Sequence, residues 1–126
     1  MIMTNVIWKL PVPSTSLLDG VAFQQLLGRQ CALAFSFEDE SDTVVTGKLL
    51  FDGVESFKCT YYRACTLEMI ETAYDKLVEL GDTKYLSDII QELGSDRQSE
   101  LKHFMIYFDD GPCYEFICNS FRFERS

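Results

Sequence analysis

Residues 101–121 read LKHFMIYFDDGPCYEFICNSF. The stretch holds the chain's one histidine, His103, and two of its five cysteines, Cys113 and Cys118. Two apolar runs flank Asp109-Asp110-Gly111-Pro112, which is the pattern of a β-hairpin. Asp110-Gly111 suggests a two-residue turn, but Pro112 has no N–H to close one. A four-residue loop, Asp109 to Pro112, avoids that objection and puts Phe108 opposite Cys113. In that register Tyr107 faces Tyr114, Met105 faces Phe116 and His103 faces Cys118, while Ile106 faces Glu115 and Phe104 faces Ile117. One face then carries Phe104, Ile106, Phe108, Cys113 and Ile117 with Glu115 among them. The other carries His103, Met105, Tyr107, Tyr114, Phe116 and Cys118. Strands apolar on both faces lie inside a sheet covered on both sides, or offer one side to a partner.

Working outward, the strand signals come first. Val6, Trp8 and Leu10 alternate with Asn5 and Lys9, a strand ended by Pro11-Val12-Pro13. In 14–30 a serine cap and Gly20 predict one or two helical turns. Cys31, Leu33, Phe35 and Phe37 alternate with smaller residues. Residues 43–53 return as a second strand ending in Asp52-Gly53, a hairpin signal, and 54–63 read as the third strand of a meander. The period then becomes helical. Thr66 caps a helix over 67–80 with the stripe Ile70, Ala73, Tyr74, Leu77 and Val78, stopped by Gly81. Thr83 caps a second helix over 84–93, stopped by Gly94. The expected fold is a single α+β domain over 1–126: a twisted antiparallel sheet of five or six strands with two consecutive helices packed on one face.

Composition bounds the function. The chain has 126 residues, 47% hydrophobic and 25% charged, which suits an ordinary globular protein. Its net charge of −9 counts against nucleic-acid binding, which needs Lys and Arg on phosphates, and favours a basic protein partner. From Ala64 to Glu100 nine acids meet three bases, a net of −6. No stretch has the length of a membrane span, and the N-terminus lacks a basic region and a cleavage site, so the expected location is the cytoplasm. Five scattered cysteines without a CxxC then read as reduced thiols.

No motif names a reaction. His103 opposite Cys118 raises an activated thiolate, without an orienting carboxylate. Glu115 on an apolar strand face needs a partner, with Arg63 or Lys102 the candidates. Asp109 and Asp110 lack the spacing of a calcium loop, and one histidine with unpaired cysteines does not make a zinc site, so neither metal nor cofactor is expected. Two readings follow. The first is a protein-binding module, an adaptor, regulator or neutralising partner of a basic protein. Its binding surface is His103, Met105, Tyr107, Tyr114, Glu115, Phe116 and Cys118, extended by Arg63. The second is a small-molecule pocket or minor enzyme around Glu115, His103, Tyr107 and Cys118. Homo-oligomerisation through the hairpin face is a third, plainer use of the same surface.

Overall fold

The computed structural model describes residues 4–94 and 100–125. Among them the chain forms nine strands: β1 (Thr4–Lys9), β2 (Leu18–Leu26), β3 (Gln30–Glu38), β4 (Val44–Asp52), β5 (Ser56–Thr60), β6 (Lys76–Leu80), β7 (Lys102–Tyr107), β8 (Cys113–Cys118) and β9 (Ser120–Arg125). Two α-helices, α1 (Leu67–Ala73) and α2 (Lys84–Leu93), interrupt the strands. The α+β class and the antiparallel pairing are as expected. The single sheet is not. A five-stranded sheet ordered β1-β6-β7-β8-β5 lies against a four-stranded sheet ordered β2-β3-β4-β9.

The two sheets share one apolar core. Alternation along β3 and β4 sends Cys31, Leu33, Phe35, Phe37, Leu49 and Phe51 inward, and Phe104, Ile106, Tyr114 and Phe116 meet them from the other sheet. Phe51 and Phe116 stack across the interface with ring centroids 4.0 Å apart. Such a pair adds about 0.5–1.5 kcal/mol beyond the area it buries.

The sheets are joined at a corner. Asp52-Gly53 does not turn β4 back on itself, and β5 is not the third strand of a meander. The β4–β9 ladder ends at Asp52 opposite Ser120. Asn119 N–H then donates to the Asp52 carbonyl (3.0 Å) and Glu55 N–H to the Ile117 carbonyl (2.9 Å), which carries the two chains side by side into the β5–β8 ladder. Gly53 sits at the bend with φ +66°, and a Cβ there would lie 1.8 Å from the Asn119 side-chain oxygen. Only glycine fits both conditions.

Three more expectations change. Residues 18–26 form β2, with only a short 3-10 turn at Ser14–Ser16 before it. Asp19 and Gly20 both have positive φ, and the β2–β3 register shifts there, so a bulge hides the alternation. The first helix stops at Ala73. Asp75 turns the chain at φ +56°, its N–H donates to the Tyr107 carbonyl (2.8 Å), and residues 76–80 become a strand of the sheet rather than more helix. Finally, the β7–β8 loop has five residues, Phe108 to Pro112, closed by Tyr107 opposite Cys113. Asp110 and Gly111 both take positive φ, and Gly111 N–H donates to the Phe108 carbonyl (2.7 Å). This inner turn consumes one residue more than a four-residue loop. A one-residue slip reverses every facing on one strand, and here it decides the site. The second helix, with its Thr83 cap and Gly94 stop, is as expected.

Among the described residues no helix is long and apolar enough to cross a membrane.

Candidate functional site

The two helices cover the outer face of the five-stranded sheet, and they cover it in separate patches. Under α1, the residues Met105, Tyr107 and Cys113 pack with Ala73, Val78 and Leu80. Under α2, Leu101 and Ile117 pack with Leu86. Strand alternation places His103 of β7 between Leu101, which precedes the strand, and Met105, and Glu115 between Cys113 and Ile117 on β8. These two polar side chains therefore occupy the seam between the helices.

The seam is a hydrogen-bonded chain. His103 is 2% exposed, and its Nε2 lies 2.9 Å from Glu115 Oε1. Its Nδ1 lies 2.7 Å from Thr83 Oγ1, which also accepts the Leu86 N–H (3.2 Å) as the N-cap of α2. Placing the imidazole proton on Nε2 gives every group a partner: Nε2–H donates to the carboxylate, and the Thr83 hydroxyl donates to Nδ1. Tyr85 stands edge-on to the imidazole at 5.2 Å, its hydroxyl 2.6 Å from Ser56 Oγ, and Lys58 Nζ lies 4.0 Å from its ring centroid. A buried polar group without such partners would cost about 1–3 kcal/mol.

The seam opens into a cleft of about 210 Å³. His103, Glu115 and Thr83 line it together with Thr66, Glu68, Met69 and Thr72 of the α1 region, and Met105 and Leu80 of the sheet. Thr66 caps α1 by accepting the Met69 N–H (3.1 Å). The lining contains two carboxylates and neither Lys nor Arg.

The expected binding surface is divided by this geometry. His103, Met105 and Glu115 come together at the cleft. Tyr107 lies on the same face but is buried under α1. Tyr114, Phe116 and Cys118 point the other way, into the core between the sheets. Sheet covers one side of the hairpin and the helices cover the other in part, so Met105, Tyr107, Tyr114, Phe116 and Cys118 are buried and Glu115 is half-buried at the cleft. Arg63 is exposed in the short turn Tyr62–Ala64, next to the exposed Tyr61 and Tyr62. The partner of Glu115 is His103, where Arg63 or Lys102 was expected.

The His103–Cys118 pair does not form, since His103 stands opposite Ile117 and Cys118 opposite Lys102. Burial pushes the Cys118 thiol up to about 12, and burial also raises Cys31, Cys59, Cys65 and Cys113. A reactive thiolate needs the reverse shift. All five cysteines are free, and the described residues contain no cluster of three or more metal-ligating side chains.

Sequence reasoning missed Thr83, Thr66, Glu68 and Thr72 as lining residues. Thr66 and Thr83 were legible as helix caps, and two caps brought to one sheet face were the available signal. No protein-family model, no curated protein and no solved structure matches the chain.

Proposed function

We propose that the protein works by binding a basic protein, with the α1–α2 face as its docking surface. The observation that carries this reading is the charge of the cleft: its lining has the carboxylates of Glu68 and Glu115 and neither Lys nor Arg. Thr83 and Glu115 engage the two nitrogens of His103, which holds the Glu115 carboxylate in place. The surroundings suit a basic partner. Between Thr66 and Leu93 the exposed charges are Glu68, Glu71, Asp82, Asp88 and Glu92 against Lys84 alone. Lys84 is itself paired with Asp88 at 2.8 Å.

The competing small-molecule reading is weaker on size. Pockets for drug-sized ligands hold about 300–1,000 Å³, against about 210 Å³ here, and Tyr107 and Cys118 lie outside the cleft. Titration of the protein with a panel of small basic proteins, matched against neutral proteins of similar size, tests the proposal. A saturable complex with a basic member is expected, weakening as ionic strength rises from about 0.05 to about 0.3 M. Equal affinity for basic and neutral proteins overturns it.

A further inference from the structure

The cleft has a shape and a chemistry of its own. At about 210 Å³ the cleft is smaller than the about 300–1,000 Å³ of ordinary small-molecule pockets and is of the size of one long side chain. Its lining carries two carboxylates, Glu68 and Glu115, while Lys58, the cross-strand neighbour of Glu115, places its ammonium over the Tyr85 ring. Its walls include the sulfur-bearing side chains of Met69 and Met105, which adapt to an alkyl stem. An anion is poorly served, because at both helix starts the cap threonine already accepts an amide N–H that an anion would need.

The two common cationic side chains are separated by one hydrogen bond. Glu115 Oε1 is held by His103 Nε2 at 2.9 Å. A guanidinium gains its advantage by gripping both oxygens of one carboxylate. An ammonium takes single oxygens from different groups, and the cleft supplies them from Glu115, Glu68 and threonine hydroxyls.

We propose that the cleft between the starts of α1 and α2 is a socket for a primary alkylammonium group, the end of a lysine side chain. This rests on the reading of the α1–α2 face as a docking surface when the lysine belongs to a protein, and stands apart from it when the amine is free. Thr83 and His103 are positioning residues that hold the Glu115 carboxylate at the floor.

The single histidine gives a direct reporter, because its imidazole resonances are unique in the NMR spectrum. They are followed while n-butylammonium chloride is added, with sodium chloride and n-butanol as controls. A saturable shift is expected with n-butylammonium alone. The loss of one charge-assisted contact predicts binding about tenfold weaker in Glu115→Gln, which keeps the acceptor for His103. Glu68→Gln, at an exposed position, tests the socket without risk to the fold and is expected to weaken binding about threefold. n-Propylguanidinium is expected to bind about fivefold more weakly than n-butylammonium. A linear shift equal to that from sodium chloride, or unchanged affinity in Glu68→Gln, overturns the socket. A lysine-containing peptide compared with its acetyl-lysine form identifies the source. Binding of n-butylammonium without the peptide leaves the socket standing and removes the protein partner. Salt-sensitive protein binding indifferent to lysine acetylation, together with no saturable n-butylammonium shift, removes the socket and leaves the docking face.

Discussion

The two faces of the β7–β8 hairpin are built from alternate residues of the same two strands, yet they are buried by different means. Toward β3 and β4, Phe104, Phe116 and Tyr114 meet another sheet, whose side chains approach as a continuous layer. Toward α1 and α2 the cover comes as two separate cylinders, and cylinders on a flat face leave a groove. Sheet against sheet gives a dry aromatic layer; helix beside helix gives a seam. The histidine and the glutamate stand in that seam, where a hydrogen-bonded pair meets an opening.

The contrast predicts unequal costs. Phe116→Ala removes a fully buried ring from the layer and is expected to cost about 3–5 kcal/mol in urea unfolding. A loss no greater than that of a seam substitution would mean the aromatic layer is loosely packed, and the contrast fails. His103→Ala is expected to cost about 2 kcal/mol. Stranding a buried partner commonly costs more, but Glu115 borders the cleft and can turn to water. A double-mutant cycle of His103→Ala with Glu115→Ala should return a coupling of about 1–2 kcal/mol, and a coupling of zero would show that the pair is an accident of packing. Thr83→Ala is expected to cost about 2 kcal/mol, about 1 from the lost cap and about 1 from the buried Nδ1 of His103 left without its donor. Its use is in the NMR experiment. If Thr83 only caps α2, the His103 resonances keep their positions; if it also orients the imidazole, they move.

Legibility in the sequence followed the same division. Strands β3 and β4 were readable because one face meets a core and the other does not, so Cys31, Leu33, Phe35 and Phe37 alternate cleanly. Helix α2 was readable because Thr83 and Gly94 mark its ends. Strand β6 was not. Leu77 and Val78 are both fully buried, one toward each face of the sheet, so they extend the helical stripe of Ile70 and Ala73 as well as they fit a strand. The break lies at Asp75, where an ordinary residue takes a left-handed conformation without announcing it. The hairpin was recognised, but its facing was reversed on β8 by one loop residue. Glu115 therefore moved from the neighbourhood of Ile106 to that of His103, and Cys118 moved away from it. The candidate site hung on that one residue of register, which the turn chemistry of Asp109 to Pro112 does not fix.

The corner at Gly53 and Asn119 has a consequence for how the chain comes together. Strand β5 pairs with β8 and β4 with β9, so the last quarter of the sequence completes both sheets at once. Until those strands arrive, only β1 and β6, through Trp8 and Leu77, stand opposite the inward aromatic row of β3 and β4. Contacts this distant along the chain close slowly, as in other proteins dominated by non-local strand pairing. A chain lacking β8 and β9 would leave Phe51 without its stacking partner Phe116 and open to neighbouring chains. A single bend thus ties the edges of the two layers together, because β8 and β9 are one continuous segment that belongs to both.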